Sequence, residues 1–95
     1  MQAGPVVDLG CAYAPQCFLF RDHAAYVGVD LMTEVRFRAR ITVHFIMPIA
    51  DFVTEHLEDF DEAATFATCS YVPPWHGDNM LIARTSFRNV LTYYP

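Results

Sequence analysis

The sequence predicts an α/β fold, a three-layer sandwich around a mainly parallel five-stranded sheet of strand order 3-2-1-4-5. Two observations predict it. Short apolar, β-branched runs alternate with segments of helical spacing, and several of those runs are apolar throughout, as strands covered on both faces are. Right-handed crossovers then leave few ways to order the strands.

Pro5 to Leu9 is the first such run and stops at Gly10. Pro15 suits the first turn of a helix, with Phe18, Leu19 and Phe20 as its apolar face. Ala25 to Leu31 is the second strand, and its last polar residue is Asp30. Residues 32–40 read as a connection, although V-R-F-R-A-R alternates like a strand. Thr42 to Met47 is the third strand. Pro48 then stands at N1 of a helix whose apolar positions Ile49, Phe52, Val53 and Leu57 follow helical spacing to about Asp59. Ala63 to Val72 is the fourth strand, stopped by Pro73 and Pro74, which cannot donate to a ladder. Asp78 or Asn79 can cap a helix through Phe87, and Asn89 to Tyr94 closes as the fifth strand.

Ninety-five residues with 54% apolar and 18% charged side chains are enough for one domain with a core. No apolar run approaches the roughly 20 residues that span a bilayer, so a non-membrane protein is expected. Three cysteines without zinc-type spacing and the absence of a basic, then apolar, leader point to the cytoplasm. A net charge of −5 and no lysine disfavour nucleic acid as a partner. Arg36, Arg38 and Arg40 form the one basic cluster, which reads as a solvated face. The apolar fraction and two sheet edges without obvious blocking residues predict a homodimer.

Ligands in such sheets bind beyond the carboxyl ends of the strands, where the order reverses between strands one and four. The ends in question are Asp8 to Ala14, Asp30 to Met32, Met47 to Asp51, and Ser70 to His76. The first turn has Gly10 but alanine at 12 and 14, and Pro15 removes one N–H from the following segment, so a pyrophosphate is poorly served. A nucleoside without phosphates loses less there. Asp30, 20 residues beyond Gly10, is placed to accept hydrogen bonds from both hydroxyls of a ribose.

V-V-D-L-G-C-A-Y-A at 6–14 followed by Y-V-G-V-D-L at 26–31 resembles the first two motifs of class I S-adenosylmethionine-dependent methyltransferases. In that Rossmann-like family D/E-x-G-x-G-x-G precedes an acid after the second strand. The resemblance implies S-adenosylmethionine as cofactor. Asp8, Gly10, Cys11 and Ala12 would line its methionine side, Asp30 would hold the ribose, and Leu31 would pack beside sugar or adenine. Met47 and Ile49 would sandwich the adenine. The sequence departs from the pattern at Ala12 and Ala14, and no acid directly follows strand three, since Asp51 falls two residues late. V-P-P-W at 72–75 is similar to the Asn/Asp-Pro-Pro-aromatic motif of amino-group methyltransferases, but Val72 cannot accept a hydrogen bond from a target amine. Family members usually add a terminal strand pair and an acceptor-binding domain, so residues 1–95 are expected to form a single minimal domain without them.

The remaining chemistry-bearing residues are few. Ser70, Tyr71 and Trp75 face the expected crevice as substrate-binding candidates, and Tyr71 and His76 are the catalytic ones, His76 as a general base. Plain packing accounts for the same aromatics. Cys11, Cys17 and Cys69 read as small buried hydrophobes, and His23, His44, His56 and His76 lack metal-ligand spacing, so no metal is expected. The expected function is that of an S-adenosylmethionine-binding, methyltransferase-like protein of unspecified acceptor. The alternatives are a non-catalytic nucleoside or S-adenosylmethionine-binding module, or a degenerate assembly domain with a closed pocket.

Overall fold

The computed structural model describes residues 4–32, 42–69 and 76–91. Its strands are β1 (Val6–Leu9), β2 (Tyr26–Asp30), β3 (Thr42–Ile46), β4 (Phe66–Cys69) and β5 (Asn89–Val90). They form one sheet in the order β3-β2-β1-β4-β5, and every pairing is parallel. The predicted strand order and the Rossmann-like α/β architecture are both present.

β1 sits at the centre with all four residues buried, which explains its continuous apolar run. Side chains alternate across the sheet, so Val7, Leu9, Val27, Val29, Ala67 and Cys69 share one face. Two helices cover that face, α1 (Ile49–His56) and α2 (His76–Ser86), through Phe52 and through Met80, Ala83 and the following Phe87. The other face carries Val6 and Tyr26 under Cys17 and Phe20 of the 3-10 segment Pro15–Phe20. Right-handed crossovers running in opposite directions from β1 place the helical segments on opposite faces in this way.

Four expectations need correction. The segment after Pro15 is a 3-10 turn rather than an α-helix, and Phe18 and Leu19 stand half-exposed. With three residues per turn Cys17 and Phe20 align inward, which leaves the two residues between them outside. Pro48 is the N-cap of α1 rather than N1; its carbonyl accepts the Phe52 N–H at 3.0 Å, and a final 3-10 turn continues over Leu57–Asp59. β4 begins at Phe66 rather than Ala63, because Asp61 closes a turn there, accepting the Ala63 N–H through Oδ1 at 3.0 Å and the Thr65 N–H through its carbonyl at 2.9 Å.

α2 opens at His76, two residues before Asp78. Asp78 therefore lies in the first turn, where a carboxylate favours the helix dipole, and Asn79 lies inside the helix instead of capping it. The three cysteines are buried free thiols. Among the described residues no helix is long and apolar enough to cross a membrane. The ends of strands four and five beyond Cys69 and Leu91, and the connection at 33–41, lie outside the described residues.

Candidate functional site

The turn after β1 is tied to β2 before it leaves the sheet. The N–H groups of Gly10 and Cys11 both donate to the Val29 carbonyl, at 2.8 and 3.3 Å, and the Ala14 N–H donates to the Cys11 carbonyl at 2.8 Å. Gly10, Ala12 and Ala14 all have positive φ, at 78°, 51° and 64°. The backbone keeps the left-handed conformation glycine would adopt at each alternate position, even where alanine supplies the side chain. For an L-residue with a Cβ that conformation costs roughly 1–2 kcal/mol. Such strain persists where the surroundings over-determine it, and it concentrates at functional sites.

Ala12→Gly is therefore expected to stabilise the fold by about 0.5 kcal/mol, because strain of roughly 1–2 kcal/mol is relieved against about 0.4–1 kcal/mol of added unfolded-state entropy. Ala14→Gly should gain less, since its Cβ is buried and packs in the core. Urea unfolding of both variants checks this; a destabilised Ala12→Gly would show that the loop is not strained there.

Asp30 fixes the geometry of the turn. Its Oδ2 accepts the Ala12 N–H at 2.9 Å and its Oδ1 accepts the Met32 N–H at 3.0 Å. A carboxylate has about four acceptor positions, so each oxygen retains capacity for one further donor. The two backbone bonds hold both oxygens in place at the carboxyl end of β2.

Beyond the ends of β3, β2 and β1 lies a cleft of about 490 Å³, within the size range of small-molecule sites. Its lining follows the strand order. Met47, Pro48 and Ile49 form an apolar wall after β3, Asp30, Leu31 and Met32 follow β2, and Gly10 and Ala12 follow β1. Asn79 of α2 closes the far side. Leu31 stands at the mouth, 66% exposed. Asp30 is the only ionisable side chain on the described walls.

Gly10 is required twice over, by its φ of 78° and by contact. A Cβ there would lie 2.8 Å from Asn79 Nδ2 and 3.8 Å from Ile49 Cδ1. The absent methyl lets α2 and α1 close over the turn.

Six of the eight predicted cofactor-binding residues thus meet at one cleft: Gly10, Ala12, Asp30, Leu31, Met47 and Ile49. Asp8 and Cys11 are not on its described walls. Asp8 is fully buried and accepts a hydrogen bond from the Tyr26 hydroxyl. It is paired with Gly28, two residues short of Asp30, and so lies roughly 7 Å deeper along the strand direction. Cys11 is also fully buried, and its Sγ occupies the space beside Gly28, where a Cβ would approach it to 2.6 Å. Burial, then the Asp8 and Asp30 carboxylates, push the Cys11 thiol up to about 12. It is a packing thiol, not a nucleophile. The Tyr26 hydroxyl is pushed up by burial first and by Asp8 second.

Ser70, Tyr71 and Trp75 lie outside the described residues, and His76 is placed only as the first residue of α2. Asn79 was not among the expected site residues. Its signal was ambiguous because the same Asn reads as a cap if the helix starts at Met80, four residues later. Among the described residues no group of three or more His, Cys, Asp or Glu is arranged to hold a metal ion.

A second cleft of about 490 Å³ lies at the opposite, amino end of β4, beside Phe60, Thr65, Phe87 and Arg88. Sheets of this architecture bind ligands at the carboxyl ends, and the Asp30 cleft is the one built on the turns there. No protein-family model, curated protein or solved structure matches the chain.

Proposed function

We propose that the chain is an S-adenosylmethionine-binding, methyltransferase-like protein and that the Asp30 cleft holds the cofactor. The observation that carries this reading is the Asp30 carboxylate, oriented by the Ala12 and Met32 N–H groups with one acceptor position left on each oxygen. Two parallel acceptors suit the vicinal hydroxyls of a ribose. The Met47, Pro48 and Ile49 wall suits an adenine ring, and the Gly10 turn bounds the cleft on the far side of the sugar. Among the described residues the cleft offers a single negative charge and no cation, which favours a neutral or cationic nucleoside over a phosphorylated one.

When bound, S-adenosylmethionine supplies an electrophilic methyl group. The protein's part is binding, orientation and exclusion of water, the terms that convert a bimolecular transfer into an effectively unimolecular one. In this chain Asp30 fixes the sugar and the Met47–Ile49 wall excludes water from the base.

Calorimetry with S-adenosylmethionine and its demethylated product tests the reading. The wild-type chain should bind, and Asp30→Ala should weaken binding by about 1.5–3 kcal/mol, the range for hydrogen bonds to a charged group. No binding to the wild type at millimolar ligand would overturn the proposal.

A further inference from the structure

Thr65, immediately before β4, has 1% of its surface exposed, and among the described residues its hydroxyl has no hydrogen-bond partner. Phe66 packs on the Tyr26 face of the sheet, so alternation puts Thr65 on the other face with Ala67, under α1 and α2. There it lines the cleft of about 490 Å³ at the amino end of β4. Buried hydroxyls are nearly always paired, and valine, of almost the same shape, would fill the position without an unpaired polar atom. A partnerless hydroxyl at the base of a cleft is a place for a ligand's polar atom.

The rest of the cleft says what that ligand carries. Val53, Leu57, Phe60 and the buried Phe87 make its walls apolar. Glu58, Glu62 and Arg88 are exposed at its mouth and make no ion pair among the described residues, so two carboxylates stand against one guanidinium. α1 with its final 3-10 turn and α2 both finish at this cleft, and the negative ends of their dipoles add to the excess. A cationic group is therefore favoured at the mouth, an aromatic or aliphatic body between the walls, and a hydrogen-bonding group at the base. We propose that this cleft binds a hydroxyaryl alkylamine, with its ammonium beside Glu58 and Glu62, its ring against Phe60 and Phe87, and its hydroxyl paired with that of Thr65. The volume lies in the range of small-molecule sites. No residue is shared with the Asp30 cleft, so this site stands or falls apart from the nucleoside reading.

Calorimetry on the whole chain compares three probes: tyramine, phenethylamine, which lacks the hydroxyl, and para-ethylphenol, which lacks the amine. Tyramine should bind about fivefold more tightly than phenethylamine, the size of one ordinary hydrogen bond, and about threefold more tightly than para-ethylphenol, the size of an exposed charge pair. Thr65→Val should fold, lose the preference for tyramine over phenethylamine, and keep its phenethylamine affinity within about twofold. In the wild type tyramine should move the amide signals of Phe60, Thr65 and Arg88. Equal affinity of the wild type for tyramine and phenethylamine, or a preference that survives in Thr65→Val, overturns the assignment. So do amide shifts confined to the Asp30 cleft, and so does no binding of tyramine at about 10 mM, weaker than ordinary ligand efficiency gives an amine of this size. The wild-type comparison is decisive even if the variant fails to fold.

Discussion

Phe52→Ala should destabilise the fold by about 3–5 kcal/mol, the cost of emptying a buried aromatic site. Phe52 is fully buried and is the single buried residue of α1. Its ring meets Phe45 of β3 at 5.1 Å between centroids, in an edge-to-face arrangement, and Phe60 at 5.9 Å. Offset and edge-to-face aromatic pairs add about 0.5–1.5 kcal/mol beyond burial, so truncation forfeits both terms. A domain of this size has roughly 5–14 kcal/mol to lose, and the variant should sit near the limit of folding. The same ring anchors the helix that begins at Ile49, so ligand affinity should fall with stability. Exposed Thr54, two residues on, provides the control: Thr54→Ala should change stability by less than about 0.5 kcal/mol. Urea midpoints measure both. A loss under about 1 kcal/mol for Phe52→Ala would contradict the packing described between α1 and the sheet.

Alkali should unfold the chain more steeply than its composition suggests. Burial pushes the Cys11 and Cys69 thiols up to about 12 from an ordinary value of 9.0, with the Asp8 carboxylate adding to both and Arg84 opposing at Cys69. Between those values the unfolded chain has released both protons and the native chain has not, so raising the pH favours unfolding. The contribution is fully present below pH 9.0 and is lost as pH climbs toward about 12. Each thiol contributes about 1.4 kcal/mol per pH unit, together about 2.7 kcal/mol per unit through that window. Tyr26 has the same sign and adds to the slope above its ordinary value of 10.0. Stability from urea unfolding at about pH 8, 9.5 and 10.5 should fall along this slope. The double variant Cys11→Ala, Cys69→Ala should lose the part of the slope that these two thiols supply. A flat profile in the wild type would show that these groups ionise in the native state as freely as in water.

The central strands were legible because parallel strands buried on both faces must be apolar almost throughout, and V-V-D-L and Y-V-G-V-D say so directly, whereas T-V-H-F-I is an edge strand with Val43 and Ile46 half-exposed. Strand order followed from chirality and not from any single residue. The segment after Pro15 was misread because Phe18, Leu19 and Phe20 fit an α-helical face; only the three-residue period of a 3-10 turn turns two of them outward.

At the site, Asp30 was legible because a charged residue ending an apolar strand must leave the sheet. Asp8 was not, because its depth is set by the pairing with Gly28 and its burial is made tolerable by the Tyr26 hydroxyl, a contact between residues 18 apart. The left-handed backbone of Ala12 and Ala14 contradicts the intrinsic preference of alanine, so it could be imposed only by the surrounding contacts. Asn79 depended on where α2 begins, the least certain feature of any helix read from sequence.

The central claim is that the Asp30 cleft is a nucleoside site, and amide chemical-shift mapping tests it most directly. Titration of the labelled chain with S-adenosylhomocysteine should move the signals of Gly10, Ala12, Leu31, Met32, Ile49 and Asn79 together, with one shared affinity. The amides of Phe60, Thr65, Phe87 and Arg88, which line the cleft at the other end of the sheet, should stay in place. Shifts confined to that second cleft, or no shifts at millimolar ligand, would contradict the account.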